Sequence, residues 1–344
     1  MINNPTKFLF LITLISGTLI SISSTSWFGA WIGLEINLLS FIPLMTNSSN
    51  LMSTEASLKY FLIQALASAT LLFTVIFAAL VYSSPSSLLT SNLFLNTLIS
   101  SSLLLKMGAA PFHFWFPGVM EGLSWMNGFM LLTWQKIAPL MLLTYNFHFN
   151  TFASFIILSS VIIGSLGGLN QTSLRKILAY SSINHLGWLT AALTLGENIW
   201  NIYFSVYSFL TAAIIFMLKT FGVSHINQAF SLNSVPPIIK FAMFSTLLSL
   251  GGLPPFIGFL PKWIIIQNMT EAGLTLIVVL MVTMTLITLF YYLRLSFSAF
   301  TLSYTENLWN SSTMEMNFSF LLMIILASLS TLGLTICSLI YHIF

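Results

Sequence analysis

Lys106-Met107-Gly108-Ala109-Ala110-Pro111 interrupts an apolar stretch, 90–121, that is long enough to cross a bilayer. A second interruption, Gly251-Gly252-Leu253-Pro254-Pro255, lies in the apolar stretch 238–268 and is followed by Pro261 and Lys262. Proline cannot donate a helical hydrogen bond and displaces the carbonyl four residues earlier, so each stretch is predicted to form a broken helix. Carbonyls freed at membrane depth must be satisfied by water, protein or a cavity, which predicts small hydrated chambers at both interruptions.

These prolines predict which carbonyls are free. Pro111 is expected to free the carbonyl of Met107, and Pro139 that of Gln135, beside Lys136. By the same argument, Pro261 is expected to free the carbonyl of Ile257. A lysine near each freed carbonyl would have polar partners inside the membrane.

The composition excludes a protein with a water-exposed surface. The 344 residues are 57% hydrophobic and only 5% charged, whereas a soluble domain carries about 25% charged residues. At about 20 residues per crossing, the chain has room for roughly eleven helices. We therefore predict an all-α, polytopic transmembrane helical bundle that forms one transmembrane domain, 1–344. The net charge of +3 and the lack of a basic run argue against nucleic acid as a partner and leave membrane lipids as the surroundings.

The predicted spans divide into two halves of five and one additional helix. They are 7–24, 26–45, 55–82, 90–121, 123–146, 150–169, 172–196, 198–221, 238–268, 271–298 and 317–343. The first repeat covers 7–146, the second covers 150–298, and in each repeat the fourth helix is the broken one. Because each repeat has an odd number of spans, the second is inverted relative to the first. Broken helices at matching places of inverted repeats indicate an ion pathway near mid-membrane.

The positive charges predict the orientation of the chain. With eleven spans, all basic residues outside the membrane core fall on the side of the N-terminus. They are Lys7, Lys59, Arg175, Lys176, Lys219, Lys240 and Arg294. The positive-inside rule then places the N-terminus in the compartment where the chain is made.

Four ionisable residues lie deep in apolar segments: Glu35, Lys106, Lys136 and Lys262. Placing one such charge near the centre of a membrane helix costs roughly 2.5–3.5 kcal/mol of insertion free energy. For the four residues the cost is on the order of 10 kcal/mol. Burial disfavours the charged ammonium, and a second lysine nearby adds repulsion, so a proton is easier to pass on than to keep. We interpret these residues as proton carriers. The alternatives are a structural hydrogen bond from Glu35 to Asn37 or Ser40 and an interfacial position for Lys106.

His185 is a candidate relay in the predicted helix 172–196, because imidazole can pass a proton through its two nitrogens near neutral pH. Tyr180, Ser181 and Asn184 could extend a hydrogen-bonded chain from it. The alternative is a buried histidine that is only satisfied in place. The sequence has no Gly-rich phosphate loop, CxxC cluster or histidine pair spaced for metal or haem, so we predict that this chain binds no metal or redox cofactor itself.

Several segments together resemble the NADH-ubiquinone oxidoreductase chain 2 family, the antiporter-like membrane subunits of respiratory complex I. They are Gly33-Leu-Glu-Ile-Asn-Leu-Leu-Ser-Phe-Ile-Pro43, Leu105-Lys-Met-Gly-Ala-Ala-Pro-Phe-His-Phe-Trp-Phe-Pro117, Trp134-Gln-Lys-Ile-Ala-Pro139, Gly168-Leu-Asn-Gln-Thr-Ser-Leu-Arg-Lys176, Ser181-Ser-Ile-Asn-His-Leu-Gly-Trp188 and Ser249-Leu-Gly-Gly-Leu-Pro-Pro-Phe-Ile-Gly-Phe-Leu-Pro-Lys-Trp263. The resemblance covers nearly the whole chain. Bacterial members of the family have fourteen helices and animal mitochondrial members lack the first three, so eleven spans fit the animal form.

The resemblance implies a role for each candidate residue. The family's matching glutamate and first lysine, at Glu35 and Lys106, form a charged pair. Lys136, His185 and Lys262 match residues that continue the same hydrophilic axis. This chain has Gly118 where many relatives have an acidic residue after the Phe-Trp-x-Pro motif, which leaves the role of Glu121 open.

The resemblance also implies a setting, a translocase in the mitochondrial inner membrane with the N-terminus on the matrix side. Its partners would be other membrane-arm subunits of complex I, including neighbouring antiporter-like subunits. This chain would take part in proton translocation, while NAD, FMN, iron-sulfur clusters and ubiquinone act in other parts of the complex. Two other interpretations remain: a free-standing cation/proton antiporter on the same fold, and a scaffold whose buried charges only fix helix packing.

Overall fold

A computed structural model describes residues 5–47, 50–81, 93–230, 237–301 and 324–333. These residues are helical or lie in turns and connections, and among them only Ser173 and His225 pair as an isolated β-bridge. The predicted all-α class is therefore confirmed. The chain divides into two compact units, Met1–Ile156 and Ile157–Phe344.

The helices are numbered in chain order. The first unit contains α1 (Pro5–Ser23), α2 (Trp27–Met45), α3 (Leu51–Val81), α4 (Leu93–Met107), α5 (Trp115–Gly122), α6 (Trp125–Leu132) and α7 (Trp134–Thr144). The boundary between the units lies within α8 (Thr151–Gly167). The second unit contains α9 (Leu174–Leu195), α10 (Glu197–Phe221), α11 (Ile226–Phe230), α12 (Pro237–Gly251), α13 (Phe259–Glu271), α14 (Thr275–Thr301) and α15 (Ile324–Gly333).

Five of the described helices, α1, α2, α3, α10 and α14, are long and apolar enough to cross a bilayer. The helices α4, α8 and α15 are also apolar but shorter. The predicted stretch 90–121 contains α4 and most of α5, and the predicted stretch 238–268 contains most of α12 and of α13. Of the predicted C-terminal helix 317–343, 324–333 is helical and the rest lies outside the described residues.

One interruption was not predicted. The stretch 123–146 forms two helices, α6 and α7, that meet at Thr133, where ψ is −68° and φ is −116°. The Thr133 hydroxyl donates to the carbonyl of Phe129 at 2.8 Å, a side-chain bond of the kind that often bends helices. Lys136 therefore lies in the first turn of α7 and not at the centre of one long helix.

The first unit packs around α3, which contacts α2, α4 and α5, while α7 contacts α1, α4 and α6. Close packing of α1 against α2 depends on Gly17 and Gly33. A Cβ atom at Gly33 would lie 2.5 Å from the backbone nitrogen of Ser21 and 2.8 Å from the carbonyl oxygen of Gly17. Small residues allow this approach of two helix backbones, as is common between membrane helices.

In the second unit, α9 and α10 pack against each other and both contact α13, while α14 contacts α9, α12 and α13. The candidate residues of this unit, His185 and Lys262, lie on α9 and α13. Both therefore face the interior that these helices enclose, and both are buried.

Candidate functional site

The candidate amines and the imidazole lie inside the protein. The exposed fraction is 6% for Lys106, 1% for Lys136, 5% for Lys262 and 6% for His185, whereas Glu35 is half-buried. The Lys106 side chain is therefore enclosed by protein and does not extend along the protein surface. Buried charges of this kind mark functional pathways in membrane proteins more often than they serve packing.

Lys106 lies in the last turn of α4, directly before the break. Two side chains donate to carbonyls at this helix end. Gln64 Nε2 donates to the Lys106 carbonyl at 3.0 Å, and Trp115 Nε1 donates at 3.3 Å to the Leu105 carbonyl, which also accepts from the Gly108 nitrogen at 3.2 Å. The helix end is thus held by α3 on one side and by α5 on the other. The prediction that Pro111 frees the Met107 carbonyl assumed a helix that continues to Pro111, whereas α4 ends at Met107.

A small polar cavity adjoins Lys106, with space for about one water molecule. It is lined by Leu34, Asn37, Leu38, Tyr60, Gln64, Lys106, Gln135 and Pro139. Tyr60 Oη donates to Gln135 Oε1 at 3.3 Å, and Gln135 Nε2 donates to Asn37 Oδ1 at 2.8 Å. A hydrogen-bonded row therefore crosses the cavity from α3 through α7 to α2.

Glu35 projects from α2, and its carboxylate lies close enough to Lys106 to interact electrostatically with the ammonium. The two local partners considered for Glu35 have other bonds. Ser40 Oγ donates to the Asn37 carbonyl at 2.8 Å, and Asn37 Oδ1 accepts from Gln135. Glu35 and Lys106 are therefore within electrostatic range of each other.

Lys136 is among the largest fully buried side chains. Its Nζ atom lies 5.4 Å from the ring centroid of Phe116, at a distance where a cation is attracted by an aromatic face. Phe116 belongs to α5, the half-helix after the break, and Gln135 beside Lys136 lines the cavity at Lys106. The first unit thus places both lysines around one break.

Lys262 lies in the first turn of α13 and bonds across the second break. Its Nζ donates to the carbonyl of Gly251, the last residue of α12, at 2.7 Å, and lies 5.9 Å from the ring centroid of Trp188. The carbonyl of Ile257, which was predicted to be free, accepts from the Leu260 nitrogen at 3.2 Å, so that prediction was wrong. Pro261 is the third residue of α13, where a helix loses no hydrogen bond to proline.

The two breaks have the same spacing. Gly108 (φ +74°) follows the end of α4 and Gly252 (φ +85°) follows the end of α12, both in the left-handed region that favours glycine. The same number of residues then separates each glycine from the next half-helix, and Pro117 and Pro261 occupy the same turn of α5 and α13. At the next position the units differ, with Gly118 in α5 and Lys262 in α13.

His185 has a partner that the sequence did not indicate. Its Nδ1 atom lies 2.8 Å from the hydroxyl oxygen of Tyr203, and its ring lies 5.0 Å from that of Tyr207. Both tyrosines come from α10. Tyr180, which was considered as an extension of the relay, instead packs its ring against Gly167.

Gln64, Gln135, Tyr60 and Tyr203 were missed because neutral side chains on neighbouring helices carry no charge signal. Gln64 is a polar residue in an otherwise apolar part of α3, and that exception is the only sequence signal it gives.

Replacing Gln64 with methionine is expected to destabilise the first break. The change keeps the length of the side chain but leaves the Lys106 carbonyl unsatisfied in a buried position, at a cost of roughly 1–3 kcal/mol. The amount of assembled complex and its thermal inactivation temperature are the measurements. Gln267→Met is the control, because Gln267 is exposed and its side-chain amide donates to the exposed Glu271 carboxylate at 3.2 Å. Equal thermal inactivation temperatures of the two variants would contradict the role of Gln64 in capping α4.

Comparisons with known proteins place the chain in a family. Residues 24–288 match the membrane domain family described as "NADH:quinone oxidoreductase/Mrp antiporter, TM". Proteins named NADH-ubiquinone oxidoreductase chain 2 are 56% identical in Anopheles gambiae and 49% identical in Locusta migratoria. These alignments cover 97% and 98% of this chain and 98% and 97% of the relatives.

Solved structures have the same fold. A chain of respiratory complex I from Thermus thermophilus is 26% identical, with a TM-score of 0.82 over 97% of this chain and 79% of the other. A chain of the Mrp complex from Dietzia, 20% identical, shares the fold with a TM-score of 0.76 over 83% of this chain and 59% of the other. Identity near one half over almost the full length is decisive: the chain belongs to the NADH-ubiquinone oxidoreductase chain 2 family.

Proposed function

We propose that this chain is the proton-carrying, antiporter-like membrane subunit of a respiratory complex I, in the mitochondrial inner membrane. The observation that carries the proposal is the burial of Lys106, Lys136 and Lys262 beside two broken helices of matching spacing. Membership in the chain 2 family supports the same conclusion. The chain takes part in proton translocation that is driven by electron transfer from NADH to ubiquinone, while the redox cofactors act in other subunits. Neighbouring membrane-arm subunits and lipid cover its outer faces.

Within the first unit, a proton passes between Glu35, Lys106 and Lys136. The Glu35 carboxylate stabilises the Lys106 ammonium by electrostatic attraction, and loss of that charge releases the proton. The cavity between Lys106 and Gln135 is polar and can hold a bridging water, which is the usual way to transfer a proton between groups that do not touch. In the second unit His185 and Lys262 are the carriers.

The membrane topology belongs to the same proposal. The chain crosses the membrane eleven times, as inverted repeats 7–146 and 150–298 with a further C-terminal helix, and the N-terminus is on the matrix side. The equal spacing of the two breaks supports the repeats. The one-sided distribution of lysine and arginine supports the orientation.

Replacing Lys136 with methionine in the assembled complex is expected to slow coupled proton translocation. Loss of a group that itself transfers the proton lowers the rate of that proton-transfer step by on the order of 10²-fold or more. The measurement is the number of protons translocated per electron pair, together with NADH:ubiquinone turnover. Lys59→Met is the control because Lys59 is exposed at the side of α3. An unchanged proton-to-electron ratio and turnover in Lys136→Met would refute the role of this residue.

Two experiments separate the other two interpretations from the subunit. A scaffold would lose assembled complex when Lys136 is neutralised, but each complex that does assemble would translocate normally. A free-standing antiporter would exchange cations and protons when the purified chain alone is placed in liposomes. Inactivity of the chain alone, with loss of translocation per assembled complex, supports the subunit.

A further inference from the structure

Gln135 uses both polar atoms of its side-chain amide to bridge the cavity of the first unit. Its Oε1 atom accepts from the Tyr60 hydroxyl on α3 at 3.3 Å, and its Nε2 atom donates to Asn37 Oδ1 on α2 at 2.8 Å. In the described part of the chain, α7 packs closely against α1, α4 and α6 but not against α2 or α3. The Gln135 amide is therefore a side-chain link between α7 and two helices that line the cavity with it.

Gln135 directly precedes Lys136 in the first turn of α7. Because α6 and α7 meet at the kink at Thr133, no continuous helix holds this turn in place. A shift or rotation of α7 would move the Lys136 Nζ atom, which lies 5.4 Å from the ring centroid of Phe116. The two hydrogen bonds of Gln135 oppose such a movement in the turn that carries the lysine.

Tyr60 is itself held in place by aromatic contacts. Its ring packs edge-on against Phe41 on α2, with ring centroids 5.3 Å apart, and against Trp115 on α5, with ring centroids 5.9 Å apart. Tyr60 is buried, and edge-to-face pairs of this kind favour one arrangement of the rings. The hydroxyl that donates to Gln135 therefore has a defined position.

One face of α3 contacts both segments that carry a lysine. Tyr60 and Gln64 are a turn apart, so their side chains lie on the same face of the helix. Gln64 donates to the Lys106 carbonyl at the end of α4. Tyr60 donates to Gln135, the residue before Lys136 at the start of α7. This face of α3 therefore fixes the end of α4 and the start of α7 relative to each other.

We propose that Gln135 and Tyr60 are positioning residues for proton transfer between Lys106 and Lys136. The inference rests on the proposed function of the two lysines. Gln135 and Tyr60 neither gain nor lose a proton in this role. They hold the Lys136 amine in position relative to the cavity that adjoins Lys106. Transfer between bound groups depends steeply on such geometry, and a misplacement of about 1 Å can cost on the order of 10²-fold in rate.

A contribution to stability alone is the competing explanation. Loss of a buried hydrogen bond destabilises a fold whether or not a nearby lysine transfers a proton. Such a loss would reduce the amount of assembled complex, but each complex that assembles would translocate the normal number of protons per electron pair. The test therefore measures this ratio, NADH:ubiquinone turnover and the solvent deuterium isotope effect on turnover, all per assembled complex.

Gln135→Met keeps the length of the side chain and removes both hydrogen bonds, whereas Tyr60→Phe removes only the hydroxyl. In the intact complex we expect Gln135→Met to lower turnover roughly tenfold, less than the effect of a full 1 Å displacement. The effect of Tyr60→Phe is expected to be smaller, because Gln135 keeps its bond to Asn37. The isotope effect is expected to rise in both variants, because the slowed proton transfer then limits turnover.

The chain offers a matched control for each substitution. Gln267→Met removes an exposed amide, and Tyr145→Phe removes an exposed hydroxyl at the other end of α7. Both controls are expected to match the parent in turnover and in isotope effect.

A double variant tests whether Gln135 acts through Lys136. Gln135→Met combined with Lys136→Met is expected to lose no more turnover than Lys136→Met alone, because no amine remains to be positioned. An effect of Gln135 that is independent of Lys136 would add to that of Lys136→Met. Additive losses would therefore overturn the inference.

The outcomes separate this inference from the function on which it rests. Parent-like turnover and isotope effect in Gln135→Met, with Lys136→Met impaired, would overturn the positioning role and leave the proposed function standing. Parent-like behaviour of Lys136→Met would overturn the proposed function. Reduced assembly with a normal ratio and isotope effect per assembled complex would show that Gln135 serves stability alone. If Gln135→Met does not assemble, Tyr60→Phe decides, and a parent-like isotope effect in that variant overturns the inference.

Discussion

Replacing Gly252 with alanine is expected to displace the Lys262 ammonium and to lower coupled proton translocation, by up to about 10²-fold if the amine moves by about 1 Å. A Cβ atom at this position would lie 2.8 Å from Lys262 Nζ and 2.9 Å from its Cδ. The lysine must therefore leave the position from which it donates to the Gly251 carbonyl. The measurement is the proton-to-electron ratio and turnover per assembled complex.

The chain offers a matched control for this change. Gly222 also follows a helix end in the left-handed region, with φ +64°, but nothing lies within 4 Å of a Cβ atom there. Both alanine variants carry a backbone cost of roughly 1–2 kcal/mol, and only Gly252→Ala moves a lysine. Equal turnover in the two variants would show that the position of Lys262 is unimportant.

Replacing Gly33 with alanine is expected to separate α1 from α2 and to deplete the assembled complex. The three atoms nearest to the added Cβ would all belong to the backbone of α1, at 2.5–2.8 Å, so no side-chain rotation relieves the contact. Overpacking of this kind costs about 1–3 kcal/mol or more, a large part of the stability of a typical protein. Glu35 lies on the same helix and would move with it.

The measurement for Gly33→Ala is the amount of assembled complex and its resistance to heat. Gly118→Ala is the control, since Gly118 is exposed on α5 and a Cβ atom there meets nothing within 4 Å. Alanine in a helix is more stable than glycine by about 1 kcal/mol, so this control is expected to be neutral or stabilising. Assembly of Gly33→Ala at the level of Gly118→Ala would contradict the close packing of α1 and α2.

The sequence predicts the helical class and the buried charges because both follow from strong local rules. A lysine in an apolar run cannot be explained by lipid contact, and a segment that contains both glycine and proline favours a break in a helix. The same rules do not predict the kink at Thr133, because threonine in a helix interior is ordinary and its bond to the carbonyl four residues earlier bends only some helices.

The contacts that the sequence did not predict are mainly hydrogen bonds from neutral side chains on other helices. Gln64 caps α4 from a distance of 42 residues in the chain, and Tyr203 reaches His185 from the following helix. Such contacts depend on how helices are rotated about their axes, which the hydrophobic pattern specifies poorly when nearly every position is apolar. Glycine and proline together indicated where two helices break, but Pro261 does not leave the Ile257 carbonyl free, because Pro261 lies in the first turn of α13 and this carbonyl accepts from the Leu260 nitrogen.

Lys106 and Lys262 are each associated with the C-terminal end of a helix. The C-terminal end of a helix carries a partial negative charge, and a nearby cation gains typically 0.3–1 kcal/mol from it, and up to about 2 kcal/mol where partly buried. Lys106 belongs to the last turn of α4, and Lys262 reaches back from α13 to the last carbonyl of α12. Two different sequence positions thus each supply one positive charge beside a helix that ends at a break. On the proposed function, a proton that leaves one of these amines would also remove the positive charge beside the helix end, and the main chain at the break would then take part in the transfer.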